Sequence, residues 1–358
     1  MSKKLLNILK YVLSFGLAGL LVWLAFRGIN WHEFWVGLKA TRWGWIALYL
    51  VVGYLALVFR ALRWTQLIHP LDNDIHYGKV WDANNIGGMA SIALPGSGDL
   101  LRTALLTTSK LPYQTVFGTV MMERAWDILA ILLMFVFSLV FAWGRFGGFF
   151  VDNIWHPLKS HAIIIWGFVF IVVAIAVFLI LVRKLRGRSK FFGKLNGILE
   201  GFLVGFKTFS QVKNKVLFLV YSVMIWVMYM LMSFFVLKAI PQLSQALMAD
   251  GLFVASLGNI ASLVPVPGGI GAYHYLLKVS LMGLYGTTDE IGLLFATLCH
   301  ELHAVLVIVL GVWSYIFRIV ILKNGSASRK NEYICALFAA GFPALSGPLT
   351  QLDRVTVF

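Results

Sequence analysis

The stretch LPGSGDLLRTALL, residues 94–106, decides how this chain folds. It interrupts an apolar sequence with Pro95, Gly96 and Gly98, and it then places Asp99 and Arg102 three positions apart. Residues three apart share one face of a helix, so the two opposite charges are expected to lie side by side. A helix break followed by a charged turn requires surroundings that shelter the charges.

The composition predicts an integral membrane protein. Of the 358 residues, 60% are apolar and only 13% are charged, and the mean hydropathy is +0.84. A soluble domain has about 25% charged residues. Several apolar runs reach the roughly 20 residues that a helix needs to cross a bilayer.

The basic residues indicate orientation and argue against a nucleic-acid partner. The formal net charge is +15, but Lys and Arg cluster in short segments between apolar runs, as in cytoplasmic loops that meet anionic lipid. Cys299 and Cys335 form no disulfide framework and no metal-binding pattern, so we expect no metal and no cofactor.

Hydropathy predicts six full spans, at about 5–26, 43–62, 115–142, 162–182, 215–238 and 291–317. Three basic segments lie before the first span, after the fourth (183–194) and after the sixth. Any two of them are separated by an even number of crossings. All three therefore lie on one side, with both termini in the cytoplasm. No cleavage site follows the first span, so we expect it to stay uncut in a bacterial plasma membrane.

Two segments, 84–106 and 252–286, fit neither a span nor a loop. Both are apolar at their ends and are broken in the middle, the second by Pro265, Pro267, Gly268, Gly269 and Gly271. This pattern is typical of two short helices that meet inside the membrane as a re-entrant hairpin. Non-helical backbone at that depth requires surrounding protein or a water-filled cavity.

The two segments also resemble each other. Each has an early Asn, an Ala-Ser pair, a Pro-Gly pair and, seven positions after that proline, Arg102 or His274. We interpret the chain as an all-α polytopic bundle and an inverted repeat, with halves 1–142 and 162–320 and a cytoplasmic tail at 321–358. Transporters build midplane sites in this way. Chance similarity between two Gly/Pro-rich segments is the alternative.

Charged residues in apolar helices are the candidate substrate-binding groups. Asp99 and Arg102 would pair in a protein-lined cavity, or reach the headgroups from a shallow hairpin. Glu123, Arg124 and Asp127 lie within two turns of the third span and indicate either an ion network or substrate contacts.

The remaining candidates lie at the end of the second span and in the second half of the chain. Arg60 and Arg63 close the second span, as interface anchors or as groups that bind a lipid phosphate. The amides of PVPGGIGAYHYLL could cradle an anion. In CHELHAV the histidines are not four apart, which argues against a zinc-protease site. His274 and His300 therefore indicate a polar cavity wall, a proton-sensitive group or helix packing.

Taken in order, several motifs resemble the lysylphosphatidylglycerol synthase transmembrane-region family over about residues 5–320. They are Asn85, Leu94-Pro95-Gly96, Gly98-Asp99, Arg102, Glu123-Arg124, Asp127 and Pro265-x-Pro267-Gly268-Gly269-x-Gly271. The resemblance implies a flippase-like domain that moves an aminoacylated phosphatidylglycerol between leaflets, while a separate C-terminal soluble domain makes that lipid. We expect no synthase activity, because the chain ends too soon for such a domain. Many members have Glu at the position of His274 and Arg near that of His300.

These observations favour a lipid flippase or scramblase that takes a membrane phospholipid, with no catalytic residue. No Walker A segment is present, so ATP would not drive it directly. A membrane enzyme that acts on a lipid-linked substrate and a secondary transporter of a small anion are the alternatives. The sequence leaves a homo-oligomer open.

Overall fold

The computed structural model describes residues 16–94, 96–156, 207–262 and 269–323, with residues 177, 184, 196, 199–200, 203–204, 264 and 266 between them. Every regular element in these ranges is a helix, which confirms a helical membrane protein. Several predicted features lie outside the described residues: nearly all of the span 162–182 and of the basic segment 183–194, Pro95, Pro265, Pro267, Gly268 and the tail beyond 323.

Twelve α-helices are described. They are α1 (Gly16–Phe26), α2 (Trp31–Ala40), α3 (Trp43–Ile68), α4 (Tyr77–Ala93), α5 (Ser97–Leu106), α6 (Tyr113–Phe141), α7 (Trp143–Phe150), α8 (Thr208–Gln211), α9 (Lys215–Ala239), α10 (Met248–Ala261), α11 (Ala272–Tyr285) and α12 (Asp289–Lys323). A π-helical turn (Val151–Trp155) follows α7, and a 3-10 turn (Pro241–Leu243) follows α9.

Four helices, α3, α6, α9 and α12, are long and apolar enough to cross a membrane. They coincide with four of the six predicted spans and have the length and apolar composition that those spans require. The first predicted span is described only in part, as α1. Helix α3 continues to Ile68, beyond the predicted end at 62, because Trp64, Leu67 and Ile68 are all fully buried and extend its packing.

The first broken segment, 84–106, forms α4 and α5 with a turn between them. Gly96 has φ +74°, a left-handed conformation that L side chains disfavour. The Ser97 hydroxyl lies 2.8 Å from both the Ala90 and the Leu94 carbonyl oxygens, to which it donates. The hydroxyl thus joins the turn to the end of α4, where the Ala90 carbonyl oxygen also accepts from the Leu94 N–H.

Gly98 belongs to helix packing rather than to the break, which corrects the prediction. It is the second residue of α5, and a Cβ atom there would overlap the Ser91 hydroxyl and the Gly87 carbonyl oxygen. A Cβ on Gly87 would in turn lie 2.8 Å from the Gly98 carbonyl oxygen. The two glycines therefore let α5 lie directly against α4.

The second broken segment, 252–286, forms α10 and α11 around a turn. Gly271 precedes α11 with φ +86°, and a Cβ atom there would lie 2.7 Å from the Val22 backbone nitrogen of α1. Gly269 also has a positive φ, of 76°. The turn therefore needs glycine both for its backbone conformation and for the approach of α1.

Two hydrophobic cores place the broken helix pairs at opposite ends of α3. The first part of α3, with Ile46 and Tyr49, packs with residues of α10 and α11. The last part, with Trp64 and Leu67, packs with residues of α4 and α5. The two broken helix pairs therefore pack against different parts of α3.

The close approach of α4 and α5 leads to a prediction about stability. Gly98→Ala forces the two helices apart and should cost about 1–3 kcal/mol, the usual cost of overpacking. Gly78→Ala, on α4 with no atom within 4 Å of its added Cβ, is the matched control and should not destabilise. The midpoint of thermal unfolding in detergent measures both, and equal midpoints would contradict this account.

Candidate functional site

Asp99 is the centre of a charge cluster on the first broken helix pair. Arg124 donates to it twice, from Nη2 to Oδ1 at 2.8 Å and from Nε to Oδ2 at 3.0 Å. Arg102 Nε donates to Oδ1 at 3.1 Å, so the predicted pair of Asp99 and Arg102 is confirmed. One carboxylate thus joins α5 to α6.

Glu123 and Asp127 lie behind this cluster on α6. Arg102 Nη1 donates to Glu123 Oε2 at 2.6 Å, and Arg63 Nη2 donates to Asp127 Oδ1 at 2.7 Å. Arg63 Nη2 also lies 3.4 Å from Glu123 Oε1, and the Glu123 side chain is 1% exposed. The two carboxylates therefore tie α3, α5 and α6 together as a structural ion network, one of the two predicted roles.

Arg63 is not an interface anchor, which is a second correction. Its side chain is 0% exposed because α3 continues past it and buries it against α6. It therefore supports the site and does not line the cavity described below. Arg60, one turn earlier and 20% exposed, lies in the cavity wall, where Nη1 donates to the Tyr229 hydroxyl at 3.1 Å.

Two residues that were not among the candidate substrate-binding groups hold Arg102 in place. Asn84 Oδ1 accepts from Arg102 Nη1 at 3.3 Å. The Trp64 ring lies under the guanidinium at 4.6 Å, and its Nε1 donates to Thr119 Oγ1 at 3.0 Å. Asn84 directly precedes Asn85, which belongs to the family motif, so the sequence shows its amide as a polar group in an apolar run. The role of Trp64 depends on the tertiary packing.

A cavity of about 550 Å³ lies between the two broken helix pairs, which both contribute to its wall. Its charged lining residues, among those the structure describes, are Arg60, Asp99, Arg102 and Arg124. Three cations against one anion give this wall an excess of positive charge. Polar residues of the second pair and α12 complete the lining, namely Asn259, Ser262, Tyr273, His300 and His303.

The two predicted histidines take different places. His300 lines the cavity, as a polar-wall residue would, and His274 lies behind it and is 2% exposed. Both face Glu301, whose Oε1 lies 2.9 Å from His300 Nδ1 and 3.6 Å from His274 Nε2. The proposed amide cradle is wrong at Gly269, because its N–H donates to the Val266 carbonyl oxygen instead.

One comparison with known proteins gives a match. The family described as "Lysylphosphatidylglycerol synthase TM region" matches residues 8–311. No curated protein and no solved structure matches the chain significantly.

The ion network leads to a second stability prediction. Glu123→Gln removes the buried counter-charge that Arg63 and Arg102 share, and it should cost about 3–5 kcal/mol, as breaking a buried ion pair does. Asp74→Asn breaks an exposed pair with Lys110 (3.2 Å) and should cost at most about 1 kcal/mol. Thermal unfolding in detergent compares the two, and similar losses would contradict a buried network.

Proposed function

The chain belongs to the lysylphosphatidylglycerol synthase transmembrane-region family, and on that premise we propose that it moves a phospholipid or an aminoacylated phospholipid between membrane leaflets. The main support is the cavity of about 550 Å³ with three arginines in its wall. A space of this size suits a small polar ligand. The lipid headgroup would enter it, while the acyl chains stay among apolar side chains outside.

The charges favour a phosphate as the group that binds. Arg124, whose side chain is 42% exposed, and Arg60 reach the cavity, whereas Arg102 is held almost wholly by protein contacts. A guanidinium fork can donate two parallel hydrogen bonds to a phosphate, as it now does to Asp99. Arg124 is therefore the best placed residue to receive the headgroup.

Asp99 would then act as a competitor for the headgroup. Its carboxylate occupies one fork of the Arg124 guanidinium, formed by Nε and Nη2. A phosphate that binds this same fork must displace the carboxylate, and release of the lipid restores the original pair. Such an exchange lets the site bind an anion without leaving a buried cation unpaired afterwards.

The membrane placement follows from the same features. We place α4–α5 and α10–α11 as re-entrant hairpins that enter from opposite faces, because they pack at opposite ends of α3. Large apolar side chains along the exposed face of α6 would contact lipid, from Ile128 to Phe141. This arrangement supports an inverted repeat with a polar site near the midplane. The basic segments put both termini on the cytoplasmic side of a plasma membrane.

A reconstitution assay tests the function. The full chain is placed in liposomes with a headgroup-intact fluorescent phosphatidylglycerol, and a membrane-impermeant quencher reports its movement between leaflets. Arg124→Gln should slow movement at least about tenfold, because the phosphate loses its bidentate partner. Lys110→Gln, which removes an equal charge from an exposed loop residue, should keep the wild-type rate.

Three outcomes would contradict the proposal. The first is equal rates for Arg124→Gln and Lys110→Gln. The second is a chemically altered lipid on mass spectrometry, which would indicate an enzyme. The third is uptake of a soluble anion without lipid movement, which would indicate a secondary transporter.

The competition by Asp99 gives a further prediction. Asp99→Asn removes the carboxylate that occupies Arg124. The concentration of glycerol 3-phosphate that half-saturates this variant should therefore be at least about fivefold lower than for the wild type. Thermal stabilisation of the detergent-purified chain by increasing glycerol 3-phosphate measures this concentration. Asp74→Asn removes the same charge from an exposed position and should leave it unchanged. Weaker binding by Asp99→Asn would show that Asp99 does not compete.

A further inference from the structure

Two imidazoles and a carboxylate meet beside the cavity, between α11 of the second broken helix pair and α12. His274 comes from α11, and His300 and Glu301 come from α12. One potential ligand atom of each residue lies within 4.8 Å of those of the other two. We propose that these three residues bind a divalent transition-metal ion such as Zn²⁺ or Co²⁺.

The separations of the atoms fit a tetrahedral ion. Ligand atoms bonded to zinc at about 2.0–2.1 Å lie roughly 3.3 Å from one another. The two measured separations from Glu301 Oε1 are 2.9 Å, to His300 Nδ1, and 3.6 Å, to His274 Nε2. They lie on either side of the tetrahedral value. Glu301 is half-exposed, so rotation of its side chain can adjust both of its distances, and the two histidine ligand atoms lie within 4.8 Å of each other.

His274 provides an independent indication of a ligand. It is almost fully buried, and its Nδ1 has no hydrogen-bond partner among the residues that the structure describes. Its Nε2 is 3.6 Å from the carboxylate of Glu301, too far for a direct hydrogen bond. The Nε2 atom of this buried imidazole therefore faces a carboxylate across a gap that a bound ion can fill.

The set of ligands selects the class of ion. Ca²⁺ and Mg²⁺ prefer all-oxygen coordination, whereas imidazole suits zinc and its first-row neighbours. Two histidines and one glutamate are a known zinc set that leaves a fourth position open. Because His300 also lines the cavity, a water molecule or an anion in the cavity can take that position.

The surrounding rings hold both imidazoles in place. The Phe26 ring of α1 lies 5.8 Å from that of His274, and the Tyr273 ring lies 5.3 Å from that of His300. His303, on the same helix as His300, instead packs against Tyr229 at 6.5 Å and is not in the ligand set. It therefore provides a matched control.

The test is metal binding by the full chain. The protein is purified in detergent without an oligohistidine tag, stripped with a chelator and titrated with Co²⁺ while its visible absorption is recorded. We expect one Co²⁺ per chain, with the intense bands of a tetrahedral site that Zn²⁺ then displaces. Lipid movement plays no part in this measurement, so its result is independent of the proposed function.

Variants assign the ligands. His274→Ala and Glu301→Gln should each raise the Kd for Co²⁺ at least about tenfold, and His303→Ala should leave it unchanged. Size-exclusion profiles identify variants that fail to fold, and the near-isosteric Glu301→Gln keeps the test available if His274→Ala is one of them. The proposal is overturned if the wild type binds no stoichiometric Co²⁺, or if Glu301→Gln binds it as tightly as the wild type.

Discussion

The buried carboxylate of Glu123 is the constraint on which the first half of the molecule depends. It receives Arg102 of α5 at 2.6 Å and lies 3.4 Å from Arg63 of α3. Charges removed from water are tolerated only when they are paired, so three helices must meet at this point in one arrangement. That arrangement fixes where α5 lies and therefore where Asp99 meets the cavity.

The two sides of the cavity have different chemistry. One side presents guanidinium groups, of which Arg124 is the most accessible. The other presents imidazole, hydroxyl and amide groups, with the carboxylate of Glu301 beside them. A ligand between them meets fixed positive charge on one side and groups that can coordinate a cation on the other. The pair of Asp99 and Arg124 lies at the boundary between the buried network and the open space.

Much of this architecture was predictable because it follows from local rules. Apolar length predicted α3, α6, α9 and α12, and the spacing of Asp99 and Arg102 predicted their pair. The role of Gly98 was not predictable, because the atoms that exclude a side chain there belong to α4. Arg63 was misassigned for a related reason. Its position near the end of an apolar run suggests an interface, but only packing against α6 determines that it is buried.

The sequence by itself determined the membrane class, the four long apolar helices and the two breaks, since these depend on hydropathy and on backbone chemistry within a few residues. Only the tertiary structure decided which charges are paired and which face the cavity. It also brought His274 to Glu301, although the two are 27 positions apart and the spacing of His300 and His303 had argued against a zinc-protease site. The physical reason is that coordination and ion pairing depend on distances of a few ångströms. Helices far apart in the chain set those distances when they pack.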